Sequence, residues 1–411
     1  MSPFQADADK LAAVRDAIPS LAAGIYLNTG SVGPLPAETA AAMAEIAAWE
    51  RDIGRAHVDA FPETLQRMAE ARAAVAALMG TDVPSVALTH STTDGLNAAT
   101  LAIDWGDGDR AVTTRLEHPG GLGPLYALRA SGRASVELLD VGDDGDDART
   151  IAAFDAAIGP GTRLVSVSHV AWTTGAILPV AAIAEIAHAR GALIAVDGAQ
   201  AAGAIPTRFD DLDVDLYALP AQKWLLGPEG MGALLVGPRA LERLTPAIAG
   251  SFSFERVDGQ GTAEWWPDAR RFEWPTFHRP SVGGMARSIG WMSMFVGLDF
   301  VYRRGLAMAR RAAERLAAIP GVVVLTPPER MATLVTFTIA GWSAPSALDE
   351  LGRRTFAIAR TIPGLDAIRI SVGFFTSEPE LERFCEGVEL LASHTPETLP
   401  QRRTLEMLVD S

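Results

Sequence analysis

The stretch TRLVSVSHVAWTTGAILPVAAIAEIAHARGALIAVDGAQ, residues 162–200, changes its periodicity twice. TRLVSVSHV is a short β-rich run, VAAIAEIAHARG spaces its apolar residues as a helix does, and ALIAVDGAQ returns to a continuous apolar run. Continuous runs of Val, Ile and Leu belong to strands covered on both faces. A strand–helix–strand order implies a right-handed crossover and a parallel strand pair. The same alternation extends outward. Upstream lie DRAVTTRLEH (strand), LGPLYALRASG (helix), ASVELLDV (strand) and ARTIAAFDAAI (helix); downstream lie the strands DLYALP and MGALLVG. The pattern predicts an α/β fold with a mostly parallel sheet flanked by helices, and a ligand site at the carboxyl ends of its strands.

Past residue 250 the pattern changes. SFSFERVDGQGTAEWWPDARRFEWPTFHRP is rich in aromatics and proline and reads as a long irregular loop, a lid or an interface. Two helices follow, then GVVVLT, ATLVTFTIA, a helix around 346–360, AIRISV and a last helix from Glu378, which suits a smaller α+β unit. The acidic turn DVGDDGDD, 140–147, reads as a solvated loop.

Composition narrows the function. A net charge of −15 over 411 residues argues against a nucleic-acid or anionic-membrane partner, since both require a basic face. The single cysteine, Cys385, leaves no intramolecular disulfide and no multi-cysteine metal site. No apolar run approaches the roughly 18 residues of a membrane span, and MSPFQADADK lacks an apolar signal core. The expectation is a cytoplasmic protein without a metal.

Only two lysines occur, Lys10 and Lys223. Arginine covers most surface roles, but its guanidinium stays protonated, whereas a desolvated lysine amine can lose its proton and attack a carbonyl. Lys223 follows the strand DLYALP in DLYALPAQKWLLGPEGMG, 215–232, where apolar neighbours would depress its pKa. Asp197 ends another strand, where a carboxylate could keep a pyridine nitrogen protonated. Ser91, Thr92 and Thr93 precede a helix, the arrangement of an anion site. His118 ends a third strand, where an imidazole could stack on a flat ring. Taken one at a time, these also read as a surface lysine, a turn cap, an N-cap and a structural histidine.

In order and spacing, STTDGLN, EHPGG, SHVAWTTGAILPV, VDGAQ, QKWLLGPEGMG, RFEWPT and IRIS resemble the class V aminotransferase and cysteine desulfurase-like family of fold-type I pyridoxal-phosphate enzymes. Within it they are most similar to the cystine and cysteine-conjugate C–S lyases. The resemblance runs from YLNTGSVGPLP (26–36) to RISVGFFTSEPEL (369–381). It implies a large cofactor domain over 25–290 and a small domain built from 1–24 and 291–411. It implies pyridoxal 5'-phosphate held by Lys223 as a Schiff base, Asp197 on the ring nitrogen, His118 against the ring and Gln200 on the phenolic oxygen. Ser91, Thr92, Thr93 and Gln222 would hold the phosphate. Thr276 would reach the phosphate of a neighbouring subunit, which implies a homodimer with shared active sites. Arg369 would clamp the substrate carboxylate, with Arg360, Asn28 and Trp172 beside it.

The departures bear on the reaction. A desulfurase needs a cysteine shortly before its RIS motif, and RRTFAIARTIPGLDA contains none. Trp172 stands where desulfurases carry Asn. Trp172, Trp224, Trp265, Trp266 and Trp274 could together line a broad apolar mouth or lie in the core or an interface. The expected reaction is β-elimination from cystine or an S-substituted cysteine, giving a thiol or persulfide, pyruvate and ammonia. Transamination, epimerisation and oxidative decarboxylation or deamination on a related amino acid share its first step. A catalytically silent ligand-binding relative is the alternative outside enzymes.

Overall fold

The computed structural model describes residues 6–401 except 143 and 275. Seven strands form the larger sheet: β1 (Val86–Thr89), β2 (Arg110–Thr114), β3 (Ser135–Leu139), β4 (Thr162–Ser168), β5 (Leu193–Asp197), β6 (Leu216–Pro220) and β7 (Gly232–Val236). Their spatial order is β1-β7-β6-β5-β4-β2-β3. Only β7 runs against its neighbours, pairing antiparallel with β1 and β6. The six strands read from the sequence between 110 and 236 all appear, and β1 is added to them, formed by residues just before STTDGLN.

The continuous apolar runs are explained by burial on both faces. In β5, Ile194 and Val196 pack into one core while Leu193 and Ala195 pack into another on the opposite face. In β6, Tyr217 and Leu219 join the first, and Leu216 and Ala218 the second. Successive side chains point to opposite faces, so a strand between two helical layers must be apolar throughout.

A second, antiparallel sheet holds β8 (Val322–Val324), β9 (Leu334–Ile339), β10 (Arg360–Ile362) and β11 (Ala367–Ser371) in the order β8-β9-β11-β10. Phe337 on β9 meets Phe384 of the last helix, Glu378–Ala392, edge to face inside this sheet's own core. Between the two sheets, Val14, Ile18 and Leu21 from the N-terminal segment pack with Leu226, Trp291, Phe300 and Phe375.

Two expectations change. The segment 250–282 is not irregular throughout: Phe254–Val257 pairs antiparallel with Ala263–Trp265, and a helix begins at Arg279. The helix expected around 346–360 spans Ala344–Thr355 and stops at Phe356, whose φ of 59° is left-handed. Ala357–Ile358 then pairs in parallel with Ile25–Tyr26, so Arg360 lies on a strand. The helices Ala37–Ile53 and Ala60–Met79 pack on Arg279–Gly290, an arrangement that alanine-rich periodicity alone does not announce.

The aromatic-rich segment is tied to the sheet by a buried charge pair. Both Glu273 oxygens lie within 2.9 Å of Arg72 Nη1, and Oε1 also accepts the Leu88 N–H at 2.8 Å. Replacing Arg72 with Met strands that carboxylate, and a loss of about 3–5 kcal/mol is expected in urea unfolding at neutral pH. Burial already raises the Glu273 pKa. Lowering the pH protonates the stranded group in the folded state first, so the deficit should shrink in acid. A deficit that stays constant with pH would deny the pair this role.

Candidate active site

Parallel register brings the strand ends together. Ser168 at the end of β4 stands opposite Asp197 at the end of β5, and β6 ends beside them at Pro220. The chain then turns through Gln222 and Lys223 in a tightly bonded loop. Ala221 N–H donates to Met231 O at 2.9 Å, Gly227 N–H to Ala221 O at 2.8 Å, and Gly33 N–H to Gln222 O at 2.6 Å. A Cβ at Gly33 would lie 2.2 Å from the Lys223 carbonyl oxygen, so only glycine permits that approach. Leu226 has a φ of 54°, a conformation that costs a branched side chain energy. It is retained because Leu226 is fully buried between the two sheets.

The result is a cavity of about 150 Å³ lined by Ser91, Thr92, Thr93, His118, Ser168, Trp172, Asp197, Gln200, Gln222 and Lys223, with Val170, Ala199 and Pro220 completing its wall. Ser91 caps the helix Thr92–Leu101 by accepting the Asp94 N–H, which leaves the Thr92 and Thr93 hydroxyls at its N-terminus. Thr92 Oγ1 and Gln222 Oε1 are buried and have no hydrogen-bond partner among the described residues. Free hydroxyls beside the first N–H groups of a helix suit an anion. His118 caps the next helix, Pro119–Ala130, its Nδ1 accepting the Gly120 N–H at 3.0 Å. Its ring meets Trp172 edge-on, with centroids 5.0 Å apart.

Electrostatics single out the same residues. Burial pulls the Lys223 amine down to about 8; Asp197 opposes this, and Arg369 and Arg360 add to it. Burial, then Lys223 and the two arginines, hold His118 neutral with a pKa of about 4. The Asp197 carboxyl is raised by burial, against the pull of Lys223 and of the Ala199 N–H that it accepts at 2.9 Å. Gln200 is oriented by two contacts: its Oε1 accepts the Trp224 indole N–H at 2.9 Å and its Nε2 donates to Gly30 O at 2.8 Å. An indole can only donate, so the amide's remaining N–H is free to meet an acceptor.

Two guanidiniums stand without counter-charges. Arg369 and Arg360 face each other across the β11–β10 pair. Arg369 is fully buried and holds only the Trp172 carbonyl, at 2.7 Å, leaving Nε and Nη2 without partners. Arg360 reaches Ser31 Oγ at 3.3 Å and lies 5.4 Å over the Trp172 ring. Like charges directly opposed on a sheet repel, and neither has a carboxylate partner among the described residues. Nearby, Asn28 bridges to Ser371, and both side chains carry unpaired buried oxygens. The pair is built to receive an anion.

Thr276 is not in this cavity. It is exposed and lines a separate depression with Glu50, Arg55 and Thr64. Of the five tryptophans grouped from the sequence as a mouth, only Trp172 reaches the cavity; Trp224 is buried and positions Gln200. Sequence reasoning missed Ser168, Ser371 and the buried Glu117. Ser168 could have been found by counting strand lengths to the carboxyl edge; Glu117 stood beside His118 without any pattern to mark it. A larger groove of about 540 Å³ runs beside Trp49 and Arg287, but it gathers no comparable set of unpaired groups.

A phosphate and a planar, protonated heterocycle fit these groups, and the comparisons agree. A family model described as aminotransferase class V matches residues 25–384. Isopenicillin N epimerase from Streptomyces clavuligerus is 33% identical over 402 residues, covering 89% of this chain and 94% of its own. The cystine C–S lyase C-DES, in complex with its product cysteine persulfide, matches with a TM-score of 0.85 at 27% identity over 92% of this chain and 100% of that one. A C-DES mutant with glycine covalently linked to its pyridoxal-phosphate cofactor gives 0.86 at 27% identity, over 91% and 98%. The cysteine desulfurase of Thermococcus onnurineus NA1 gives 0.83 at 25% identity, over 96% and 100%. The chain therefore belongs to the class V aminotransferase family, as an enzyme of the fold-type I class that depends on pyridoxal 5'-phosphate.

Proposed function

We propose that this enzyme is a C–S lyase that eliminates the β-substituent of cystine or an S-substituted cysteine. The observation that carries the reading is the state of its one cysteine. Cys385 is fully buried in the core of the small sheet, and burial pushes its thiol up to about 12. A desulfurase transfers sulfur to a protein thiolate, and this chain offers none near the cavity. Sulfur must then leave on a fragment of the substrate.

In this reading Ser91, Thr92, Thr93, Gln222 and the helix N-terminus hold the cofactor's phosphate. Asp197 pairs with its ring nitrogen, the neutral His118 ring lies against it, Gln200 donates to its phenolic oxygen, and Lys223 holds its aldehyde carbon. Pyridoxal phosphate, when bound, supplies the sink for the electron pair left at Cα. Arg369 grips the substrate carboxylate, and its planar fork allows two parallel hydrogen bonds. Arg360, Asn28 and Trp172 flank the remainder of the substrate. The substrate amine would replace Lys223 at the aldehyde carbon, and the freed Lys223 amine would take the Cα proton; the Cβ–S bond would then break, the thiolate or persulfide departing with the bonding pair. Water hydrolyses the three-carbon remainder to pyruvate and ammonia.

Thr276, exposed on this chain, is proposed to serve the phosphate site of a second copy in a homodimer. Support comes from apolar side chains exposed on this chain, including Val58, Phe61 and Phe295. The compartment is proposed to be the cytoplasm; among the described residues no helix is long and apolar enough to cross a membrane. The second reading, epimerisation, is favoured by the 33% identity to isopenicillin N epimerase. It shares the Lys223 step and differs in returning a proton to Cα.

Incubating the purified protein with cystine and S-substituted cysteines in deuterated water separates the two. Thiol or persulfide plus pyruvate is the expected result. Inverted substrate carrying deuterium at Cα, without pyruvate, would establish the second reading instead. Borohydride followed by peptide mapping should label Lys223, and Lys223→Ala should abolish both label and turnover; a label elsewhere removes the assignment. The proton-removal rate should rise with pH through about 8, as the Lys223 amine becomes neutral. Arg369→Lys should raise KM roughly tenfold or more, by loss of a bidentate charged contact, and an unchanged KM would exclude Arg369 from the carboxylate site.

A further inference from the structure

Glu117 is a buried carboxyl group that none of the steps above uses. It follows β2, one residue before His118, and is not among the residues that line the cavity. Its Oε1 accepts from Thr114 Oγ1 at 2.6 Å and its Oε2 from Ser168 Oγ at 2.5 Å. Both donors are neutral hydroxyls, and no cation pairs with Glu117 among the described residues. Ser168 is the residue that stands opposite Asp197 in the β4–β5 register. One hydroxyl thus separates Glu117 from the carboxylate assigned to the ring nitrogen.

We propose that Glu117 is a positioning residue that acts through Asp197 to sustain the proton on the cofactor's ring nitrogen as the pH rises. The inference rests on the cofactor reading above and adds a second carboxyl group to it. Its physical basis is desolvation. A carboxyl closed off from water and met by no cation resists ionising, and the charge on Asp197 resists it further. Burial, opposed by the hydrogen bonds from Ser168 and Thr114 and reinforced by Asp197, raises its pKa to about 7. Below that pH Glu117 is neutral and Asp197 alone faces the ring. Above it a second negative charge appears behind Asp197, and that charge favours every proton held in the cavity. The effect opposes the ordinary loss of those protons with rising pH.

The other groups around Glu117 leave it this role. His118, next in the chain, is held neutral. His169, following β4, is also held neutral by burial, and its Nδ1 lies 3.0 Å from the Tyr217 hydroxyl of β6. Lys223 acts on Asp197 from the opposite side.

The test is an absorption titration of the resting holoenzyme, with no substrate present. The parent should titrate with two coupled protons, one of them near neutrality. Glu117→Gln keeps the shape, accepts from one hydroxyl and donates to the other once that hydroxyl turns, and never carries the charge. It should titrate with one proton, displaced to lower pH by about half a unit or more. Ser168→Ala removes one donor from the Glu117 carboxylate while keeping its charge, so its near-neutral step should move upward. A Glu117→Gln curve that superimposes on the parent's would overturn the inference. Should that variant fail to fold, an unmoved step in Ser168→Ala would overturn it equally. A parent with no cofactor band at all would remove the cofactor reading and this inference with it, an outcome distinct from either.

Discussion

Lys223, Arg369 and Arg360 gather three positive charges around one carboxylate, Asp197, in a region largely closed to water. Burying a charge without its counter-charge is among the costliest arrangements a fold can hold. Here the imbalance is organised rather than scattered. Arg360 and Arg369 face each other across two strands, and the hydroxyls at the helix N-terminus stand open on the other side of Lys223. The excess is what an anionic cofactor and an anionic substrate remove on binding. Burial pulls the lysine amine towards neutrality against Asp197, and the two arginines add to that pull.

Holding that imbalance requires a rigid frame. Both faces of β5 and β6 are buried, so the strand ends carrying Asp197 and the Lys223 turn have little freedom to relax. Leu226 keeps its left-handed backbone because its side chain fills the space between the two sheets, against Phe375 and Trp291. Gly33 lets the N-terminal segment press on the Lys223 carbonyl from outside. The small sheet contributes Arg369, and the Trp172 carbonyl, in the turn after β4, holds it. The active site is thus a seam that both sheets must close correctly.

The chemistry follows from what the seam contains and what it lacks. It contains a buried amine, a carboxylate, a neutral imidazole and two guanidiniums, the set needed to bind an amino acid and remove its Cα proton. The one thiol of the chain lies elsewhere, in the core behind β9 and β11. Relatives in this family include an epimerase, a lyase and a desulfurase. The missing thiolate is therefore a stronger guide to the reaction than the fold.

Periodicity alone determined the alternating strands and helices from residue 110 to 236, because a strand covered on both faces must be apolar along its length. The motifs around Lys223, Asp197, His118 and Thr92 were legible for a related reason: each sits where a strand or helix ends, and ends are marked by turn residues and caps. Three things were decided only by the tertiary structure. Arg360 belongs to a strand and opposes Arg369, which no local pattern could reveal, since pairing depends on where Phe356 stops the preceding helix. Between the mouth and the core that the sequence left open for Trp224, the structure chose the core, where its indole N–H donates to Gln200. Glu117 acquired its raised pKa from burial, reinforced by Asp197, 80 positions away in the chain, and opposed by Ser168, 51 positions away. Local sequence sets which backbone shape is cheap, whereas charge burial depends on which distant segments exclude the water, and that is known only once the chain has closed.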